Sequence, residues 1–302
     1  MRLVTYARRD APAAASRAGV LVEGGVVDIA HASAGRLPST MLELLESTPD
    51  LGLVSDLPLD ELIEETAYRL LAPLPKPVSI RDFMAFEDHV RHTRELRGAK
   101  VPAAWYEMPV FYFSNHLAVV GPGDPVAPPP ACEQLDYEFE VALVIGRAGR
   151  DIAEADAWNH VAGLTIMNDW SARDLQMAEM GAGLGPAKGK DFATSLGPAI
   201  VTLDDLRDRL DAGRLSLEMV GRRNGEEFTR TNLDRIHHGV PAILARASRG
   251  VTLNPGEVVG LGTVPFGCLL ERPEPRWLAA GDVVELEVER LGTLANEVAA
   301  RS

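Results

Sequence analysis

Cysteine is scarce in this 302-residue chain, whose two thiols belong to Cys132 and Cys268. Two cysteines are too few for a disulfide framework, and they lack the C-x-x-C spacing of a redox or zinc motif, so both are expected to be reduced. No apolar stretch approaches the ~18 residues of a membrane helix, and none follows the first residues as a signal-peptide core. We therefore expect a cytoplasmic protein that does not enter membranes.

Basic residues are also few, because 30 Lys and Arg stand against 44 Asp and Glu and the formal net charge is −14. A chain of this sign repels the phosphates of nucleic acids and of anionic membrane surfaces, so neither is an expected partner. With 46% hydrophobic and 25% charged residues, the composition is that of a globular protein. The composition thus argues against binding to polyanions, and it does not indicate an activity.

A proline-rich segment separates two regions of different pattern. Residues 1–72 combine short strand patterns with two helical patterns at 40–46 and 59–71. The segment A-P-L-P-K-P that follows interrupts any regular element, since each proline lacks an N–H donor and restricts the residue before it. We predict a small accessory α+β domain at 1–72 and a main, catalytic domain at 73–302.

The main domain is richer in strand patterns than in helical ones. Its helical patterns cover 81–97, the stretch after Asp169, and 236–248. Asn224-Gly225, between two strand patterns, predicts a two-residue hairpin. Strands without regular helical crossovers predict an α+β fold with a mostly antiparallel or mixed sheet, built as a sandwich or roll.

The motif D-Y-E-F-E at 136–140 opens one of the predicted strands, which continues to residue 145. Side chains two apart on a strand share a face, so Glu138 and Glu140 point the same way, about 7 Å apart along the chain. Two interpretations are open at this point. The acids either lie solvated on an exposed strand face or hold a divalent cation with their carboxylate oxygens.

A second polar cluster, M-N-D-W-S-A-R-D-L-Q, follows the apolar strand pattern at 161–167. Asp169 within it suits the cap of the following helix and equally the rim of an active site. Residues 133–174 hold nine acids against three arginines, so −6 of the net charge lies in this segment. A bound cation would relieve that concentration of charge.

A glycine-rich loop at 185–198 carries Lys188 and Lys190. It does not match the phosphate-binding pattern G-x-x-x-x-G-K-[ST]. Its lysines are either solvated or placed to neutralise a bound carboxylate or a developing oxyanion.

Taken in order, these motifs resemble the fumarylacetoacetate hydrolase family. The resemblance rests on D-Y-E-F-E, M-N-D-W-S-A-R-D-L-Q, K-G-K-D-F-A-T-S-L-G-P and the G-L-G-T at 260–263, and it runs from about residue 78 to 290. It implies a mixed β-sheet roll around a divalent metal, Mg²⁺ first and Ca²⁺ or Mn²⁺ as alternatives. It also implies a homodimer that acts on a small-molecule oxo acid.

The resemblance assigns a role to eleven positions. The implied metal ligands are Glu138, Glu140, Asp169 and Asp82. The implied catalytic groups are the base His89, the residue Glu271 that orients it, and the oxyanion-stabilising Arg173, Gln176 and Lys190. The implied substrate contacts are Tyr112, Gln176, Lys190 and Thr263. Because Asp82 and His89 are seven residues apart, we expect them on one face of the predicted helix 81–97.

Three functions follow as hypotheses. The first is hydrolytic C–C cleavage of a 1,3-diketo acid, such as an acylpyruvate or a fumarylacetoacetate-like acid, by His89-activated water. The second is a metal-dependent oxo-acid decarboxylase, or an isomerase or hydratase of aromatic catabolism. The third is a catalytically silent metal-binding structural protein. Arg91, Arg94 and Arg97 are all candidates for the arginine that clamps the substrate, and the sequence does not choose among them.

Overall fold

The computed structural model describes residues 1–11, 15–48, 51–211 and 213–301. Within these ranges the chain is dominated by β-structure. The strands are β1 Arg2–Arg8, β2 Arg17–Val22, β3 Gly25–Asp28, β4 Ile63–Glu64, β5 Tyr68–Leu71, β6 Ile80–Phe83, β7 Phe111–Ser114, β8 Val119–Val120, β9 Leu135–Asp136, β10 Phe139–Ile145, β11 Gly149–Arg150, β12 Val161–Asp169, β13 Ser171–Ala172, β14 Thr194–Thr202, β15 Leu210–Asp211, β16 Arg214–Leu215, β17 Glu218–Arg223, β18 Glu226–Asn232, β19 Thr252–Leu253, β20 Val258–Gly260, β21 Val283–Val288 and β22 Gly292–Glu297.

The helices are short and lie between the strands. The α-helices are α1 Ile29–Ala32, α2 Met41–Ser47, α3 Gly52–Ser55, α4 Glu87–Glu95, α5 Ala103–Glu107, α6 Arg173–Gly181 and α7 Val240–Ser248. Single 3-10 segments form at Glu65–Ala67, Glu154–His160, Leu203–Arg209, Leu233–Arg235 and Leu269–Glu271. None of the helices in the described ranges is long and apolar enough to cross a membrane.

One large mixed sheet organises the molecule. Its strands follow the order β4-β3-β2-β1-β14-β12-β10-β20-β6-β7, with β5 beside β1 and β8 beside β14. Most pairs are antiparallel, while β20 pairs β6 and β14 pairs β8 in parallel. A second antiparallel sheet has the order β18-β17-β21-β22. The predicted α+β fold with a mostly antiparallel, mixed sheet is confirmed.

Several predicted elements form where the sequence places them. The pattern 40–46 becomes α2, and Thr40 precedes it with its hydroxyl oxygen accepting from the Glu43 N–H. The hairpin at Asn224-Gly225 joins β17 to β18, and both residues have positive φ, 53° and 79°. Positive φ at both central residues is what the tight turns that suit twisted hairpins require.

One predicted helix is wrong, and a second is only partly confirmed. The pattern 59–71 forms β4, a 3-10 turn and β5, because its apolar residues pair with strands of the sheet: Ile63 lies opposite Val26, and Leu70 opposite Tyr6. Tertiary strand pairing here outweighs a helical spacing of apolar residues.

The pattern 81–97 divides into β6 and α4, separated by three residues. Asp82 therefore lies in a strand that pairs with β20, and His89 lies in the following helix. The expectation that both share one helix face is wrong, although both side chains are buried. The helix predicted at 236–248 begins later, at Val240 with Pro241 in its first turn.

The hydrophobic core joins the two predicted domains. In the main sheet β1 pairs antiparallel with β14, with Leu3 opposite Ile200. One cluster of buried side chains includes Leu3 and Met41 from the N-terminal region together with Val144 and Ile200 from the main region. The predicted boundary at 72/73 remains a prediction about organisation, and both sheet and core continue across it.

Candidate active site and metal centre

Neighbouring strands of the main sheet bring three carboxylates together. Asp82 lies on β6 and Glu140 on β10, while Glu138 immediately precedes β10. One oxygen from each of these side chains lies within 4.8 Å of the others. Between β10 and β6 runs β20, where a Cβ on Gly260 would lie 2.6 Å from Asp82 Oδ1. The glycine thus leaves the space into which the Asp82 carboxylate extends.

The carboxylates are buried, and burial shifts their pKa values. Asp82, Glu140 and Asp169 are each at most 3% exposed. Burial, followed by the negative charge of Asp169, raises the pKa of Asp82 well above its usual value. Burial, followed by the charge of Asp82, does the same to the pKa of Glu140. Asp82 Oδ1 and Asp169 Oδ1 have no hydrogen-bond partner in the described part of the chain.

This arrangement fits a divalent metal ion. Asp82, Glu138, Glu140 and Asp169 offer hard oxygen donors, which Mg²⁺, Ca²⁺ and Mn²⁺ all accept. Buried carboxylates are costly unless they are paired or coordinate a cation. A divalent ion would satisfy the unpartnered oxygens and reduce the mutual repulsion.

Two cations hold Glu138 from either side. Lys190 Nζ donates to Glu138 Oε2 at 2.6 Å and also to Asp169 Oδ2, and Arg173 Nη1 lies 2.8 Å from Glu138 Oε1. Burial alone would raise the pKa of Glu138, but the charges of Lys190 and Arg173 outweigh it and lower that pKa. Glu138 therefore stays ionised while its neighbours repel one another.

Hydrogen bonds fix the other carboxylates. The Tyr112 hydroxyl donates to Asp169 Oδ2 at 2.5 Å. The Gly262 N–H donates to Glu140 Oε2 at 2.9 Å, and the Thr263 hydroxyl donates to Glu140 Oε1 at 3.3 Å. Gly262 has φ +95°, a conformation that glycine adopts readily. The G-L-G-T segment thus aims Glu140 as well as giving Asp82 room.

His89 and Glu271 come together on the other side of the carboxylate cluster. His89 Nδ1 lies 3.2 Å from Glu271 Oε2, and His92 Nδ1 lies 3.4 Å from Glu271 Oε1. Burial would raise the pKa of Glu271, but the adjacent His89 outweighs it and lowers that pKa. An ionised carboxylate beside one ring nitrogen is the arrangement that orients a histidine base.

Asp136 has a role that the sequence reasoning missed. Its carboxylate accepts from Arg173 Nε at 2.8 Å and from the N–H groups of Leu269 and Leu270 at 2.8 and 3.1 Å. Glu271 lies on the turn that contains Leu269 and Leu270. Asp136 therefore links this turn to Arg173, the arginine that contacts Glu138. The signal was present, because Asp136 lies two residues before Glu138 in the same alternating motif.

The predicted site residues surround one cavity of about 310 Å³. Nine of them line it: Asp82, His89, Tyr112, Glu138, Glu140, Arg173, Gln176, Lys190 and Thr263. Asp169 and Glu271 lie behind this lining, where Asp169 contacts Lys190 and Tyr112 and Glu271 contacts His89. The Gln176 side-chain oxygen accepts from Arg173 Nη1 at 3.0 Å. All eleven positions thus belong to one site.

The structure separates the three candidate arginines. Arg91 bonds to Asp88 at 2.9 Å and to Glu95 at 3.4 Å along its own helix. Arg94 and Arg97 line the cavity, and neither has a carboxylate partner within the described residues. Burial, followed by the nearby positive charge of Arg173, lowers the pKa of Arg97.

The model of the fumarylacetoacetate hydrolase C-terminal family matches residues 79–299, which contain every residue of this site. The chain belongs to the fumarylacetoacetate hydrolase family. The family predicted from the four motifs is therefore confirmed, and with it an enzyme fold whose carboxylate cluster suits a divalent metal.

Among relatives in this family, several are named as tautomerases. The chain is 35% identical to the mitochondrial oxaloacetate tautomerase fahd2 of Xenopus laevis over 302 residues, covering 99% of this chain and 90% of the relative. It is 32% identical to the oxaloacetate tautomerase YisK of Bacillus subtilis over 232 residues, covering 76% and 73%. The solved fumarylacetoacetate hydrolase of Exiguobacterium antarcticum superposes with a TM-score of 0.79 at 29% identity, covering 100% of both chains.

Proposed function

We propose that this protein is a metal-dependent oxaloacetate tautomerase, which interconverts the enol and keto forms of oxaloacetate or of a closely similar dicarboxylic 2-oxo acid. The names of its relatives from Xenopus laevis and Bacillus subtilis support this choice over the hydrolase hypothesis. The reaction is the isomerase form of the second hypothesis drawn from the sequence. It needs a polarised oxygen and a mobile proton, and it needs no attacking water.

The observation that carries the proposal is the pairing of His89 with Glu271 at the wall of a cavity that also contains the carboxylate cluster. Two arginines of the cavity without a carboxylate partner among the described residues, Arg94 and Arg97, favour a substrate with a second carboxylate. A dicarboxylic oxo acid has a second carboxylate beyond its oxo-acid end, and arginine is the side chain best suited to bind it.

The residues divide the work between binding and proton transfer. Asp82, Glu138, Glu140 and Asp169 would hold a divalent cation, which would supply Lewis-acid polarisation of a substrate oxygen. Glu271 holds His89 Nδ1, which leaves Nε2 to exchange a proton with the substrate. Ketonisation removes the proton from the enol hydroxyl at C2 and adds one at C3, so no bond between heavy atoms breaks. Lys190 and Arg173 keep Glu138 ionised throughout.

Hydrolysis of a 1,3-diketo acid is the second candidate, and the same dyad favours it. A histidine oriented by a carboxylate can deprotonate water for attack on a carbonyl. The resemblance to the Exiguobacterium antarcticum fumarylacetoacetate hydrolase supports it at the level of the fold and the family. It differs from tautomerisation in its products, because cleavage releases two acids.

Product analysis tests the proposal. Enol-oxaloacetate is mixed with the Mg²⁺- or Mn²⁺-loaded protein, and the loss of enol absorbance is followed beside CO₂ release, with acylpyruvates as a parallel panel. We expect ketonisation well above the spontaneous rate and above that of a His89→Ala control, without matching CO₂. Cleavage of an acylpyruvate without faster ketonisation would overturn the tautomerase in favour of the hydrolase.

A further inference from the structure

The base and its carboxylate have a third neighbour that the proposed reaction does not use. Cys268 lies three residues before Glu271, is fully buried, and its Sγ lies 3.7 Å from Glu271 Oε2. One donor atom each from His89, Cys268 and Glu271 lies within 4.8 Å of the others. This cluster is distinct in its residues from the Asp82–Glu138–Glu140 cluster.

The polar atoms of this cluster are buried and unsatisfied. His89 is 6% exposed and Glu271 is 5% exposed. Neither His89 Nδ1 nor Glu271 Oε1 has a hydrogen bond of acceptable geometry in the described part of the protein, and His92 Nδ1 beside them has none either. These atoms face one another, because His89 Nδ1 lies 3.2 Å from Glu271 Oε2 and His92 Nδ1 lies 3.4 Å from Glu271 Oε1. The contacts are electrostatic and lack hydrogen-bond geometry, so the donor atoms remain available to a cation.

Two of the three separations between donor atoms suit a tetrahedral zinc ion. Zinc bonds of about 2.0–2.3 Å at tetrahedral angles place donor atoms roughly 3.3–3.7 Å apart. The observed separations are 3.2 Å for His89 Nδ1 to Glu271 Oε2 and 3.7 Å for Cys268 Sγ to the same oxygen. A thiolate, a carboxylate and a neutral imidazole carry two negative charges, which a divalent ion balances.

We propose that His89, Cys268 and Glu271 form a second metal site, selective for Zn²⁺ or a similarly soft ion, whose occupation switches the enzyme off. Of the three residues, His89 lines the cavity, and Cys268 and Glu271 lie buried behind it. Once His89 and Glu271 are ligands, the histidine is no longer free to move a proton. Binding itself is independent of the proposed reaction, whereas the inhibition rests on the proposed role of His89.

The site differs from the carboxylate centre in the ions it takes. Thiolate and imidazole favour Zn²⁺ and Co²⁺, whereas Mg²⁺ prefers oxygen donors. Excess Mg²⁺ should therefore fill the carboxylate centre and leave this site to the soft ion. Burial, followed by the negative charge of Asp136, raises the pKa of the Cys268 thiol well above the usual value, so ligation requires the ion to displace the thiol proton.

The chain's two cysteines provide a matched comparison. Cys132 is also buried, but its charged neighbour is Asp174, and it is not part of the cluster that contains His89 and Glu271. In excess Mg²⁺, Co²⁺ is added to wild type, Cys268→Ala and Cys132→Ala, and the thiolate-to-cobalt charge-transfer band is recorded. Zn²⁺ affinity is measured by competition with a chromophoric chelator, and tautomerase inhibition by Zn²⁺ is measured in parallel.

We expect the cobalt band in wild type and Cys132→Ala and its loss in Cys268→Ala. Loss of a zinc ligand should weaken Zn²⁺ binding and raise the inhibitory concentration at least about tenfold, since even outer-shell changes cost about 10–100-fold. A cobalt band absent from wild type, or equal Zn²⁺ inhibition of all three proteins, would overturn the site.

Two further measurements keep this test separate from folding and from the reaction. Cys268→Ser preserves the shape of the side chain and is used if Cys268→Ala unfolds, as judged by circular dichroism. The cobalt spectrum and the chelator competition need no substrate. If the protein proves not to be a tautomerase, the metal site still stands or falls on these two readings.

Discussion

At the scale of single residues, the pair His89–Glu271 concentrates the chemistry. The two side chains lie 3.2 Å apart and both are buried, so each fixes the other's orientation. We expect His89→Ala to lower kcat about 10²–10⁴-fold, the usual contribution of a positioned acid–base group. Glu271→Gln keeps the size of the side chain and should cost less. Steady-state ketonisation kinetics give both values.

The Mg²⁺ affinity of these variants is the control. It should stay close to wild type in His89→Ala, because the ring is not one of the four carboxylates of the proposed metal centre, whereas Tm should fall because buried Glu271 loses its partner. An unchanged kcat in His89→Ala would contradict the proposed acid–base role of His89. Loss of Mg²⁺ binding would instead give His89 a structural role.

The unpaired arginines of the cavity predict a substrate effect. Arg97→Ala and Arg94→Ala should each raise KM for a dicarboxylic oxo acid about tenfold, because a hydrogen bond to a charged group contributes about 1.5–3 kcal/mol. Arg91→Ala is the matched control, since Arg91 is bonded to Asp88 and Glu95 outside the cavity. Equal effects at positions 91, 94 and 97 would contradict this assignment.

At the scale of elements, the G-L-G-T segment links a backbone conformation to a metal ligand. A Cβ at Gly262 would lie 2.5 Å from the backbone oxygen of Phe83, and its φ of +95° is strained for other residues. We expect Gly262→Ala to lower the free energy of unfolding by more than the ~1–3 kcal/mol of backbone strain alone. It should also weaken Mg²⁺ binding, because the Gly262 N–H orients Glu140.

Gly281 separates the two causes. It has φ +87°, and no atom lies within 4 Å of the position that the methyl group of an alanine would occupy, so Gly281→Ala introduces strain without the clash. Chemical denaturation and Mg²⁺ titration of both variants complete the comparison. A Gly262→Ala protein no less stable than Gly281→Ala, with unchanged Mg²⁺ affinity, would contradict the role given to this segment.

The junction of β3 and α1 predicts a pH effect on stability. The Asp28 carboxylate accepts from Tyr6 Oη at 2.6 Å, from Arg17 Nη2 at 2.8 Å and from the His31 N–H at 2.7 Å. Burial would raise the pKa of Asp28, but the bonds from Arg17 and Tyr6 outweigh it and lower that pKa. The stabilisation is thus present above the unfolded value of about 3.9 and is lost as pH falls through the folded pKa.

Asp28→Asn should therefore lower the free energy of unfolding by about 1–3 kcal/mol at pH 7, and this difference from wild type should become smaller in acid. Urea unfolding at pH 7 and near pH 3 measures it. Asp60→Asn, at an exposed position, is the control and should stay within about 0.5 kcal/mol. A difference that is constant with pH would show that the charge of Asp28 is not the cause.

The elements also show where sequence reasoning succeeds and fails. The strand that carries Glu140 and begins just after Glu138 was predictable from its alternating pattern, and the Asn224-Gly225 turn was predictable because it needs positive φ. The helix predicted across Asp82 failed because a four-residue strand is too short to show a period of its own. Its partner β20 lies more than 170 residues away, so no local pattern contains the pairing.

At the scale of the whole molecule, metal and fold are linked through the carboxylate cluster. Chelation would remove the proposed ion and restore the repulsion among the buried acids, so EDTA should lower Tm. An ion at about 100 times its Kd stabilises by about 2.7 kcal/mol, which corresponds to a drop on the order of 5 °C. Differential scanning fluorimetry with EDTA, then with Mg²⁺ restored, measures the shift. An identical Tm in all three conditions would contradict a resident ion.

For the molecule as a whole, the sequence motifs predicted more of the fold family and of the site than the hydrophobic periodicities did. Four short motifs, far apart in sequence, identified the family, and the resemblance then assigned eleven side chains. The structure places nine of these around one cavity and the other two, Asp169 and Glu271, behind its lining. The sequence did not predict the role of Asp136. Nor did it predict that Arg94 and Arg97 line the cavity while Arg91 does not. Their roles depend on which neighbours the fold supplies, and the nearest partners of Asp136 include N–H groups more than 130 residues away.

The pairing of β1 with β14 has a practical consequence for anyone who trims the chain. The family match begins at residue 79, which invites expression of the matched segment alone. Such a fragment would lack the strand opposite Ile200 and Val201 and would expose part of β14 as a bare edge with buried apolar neighbours. Bare edges recruit strands from other molecules, so the fragment would be prone to aggregate. The segment that the family model matches is therefore smaller than the segment that completes the main sheet.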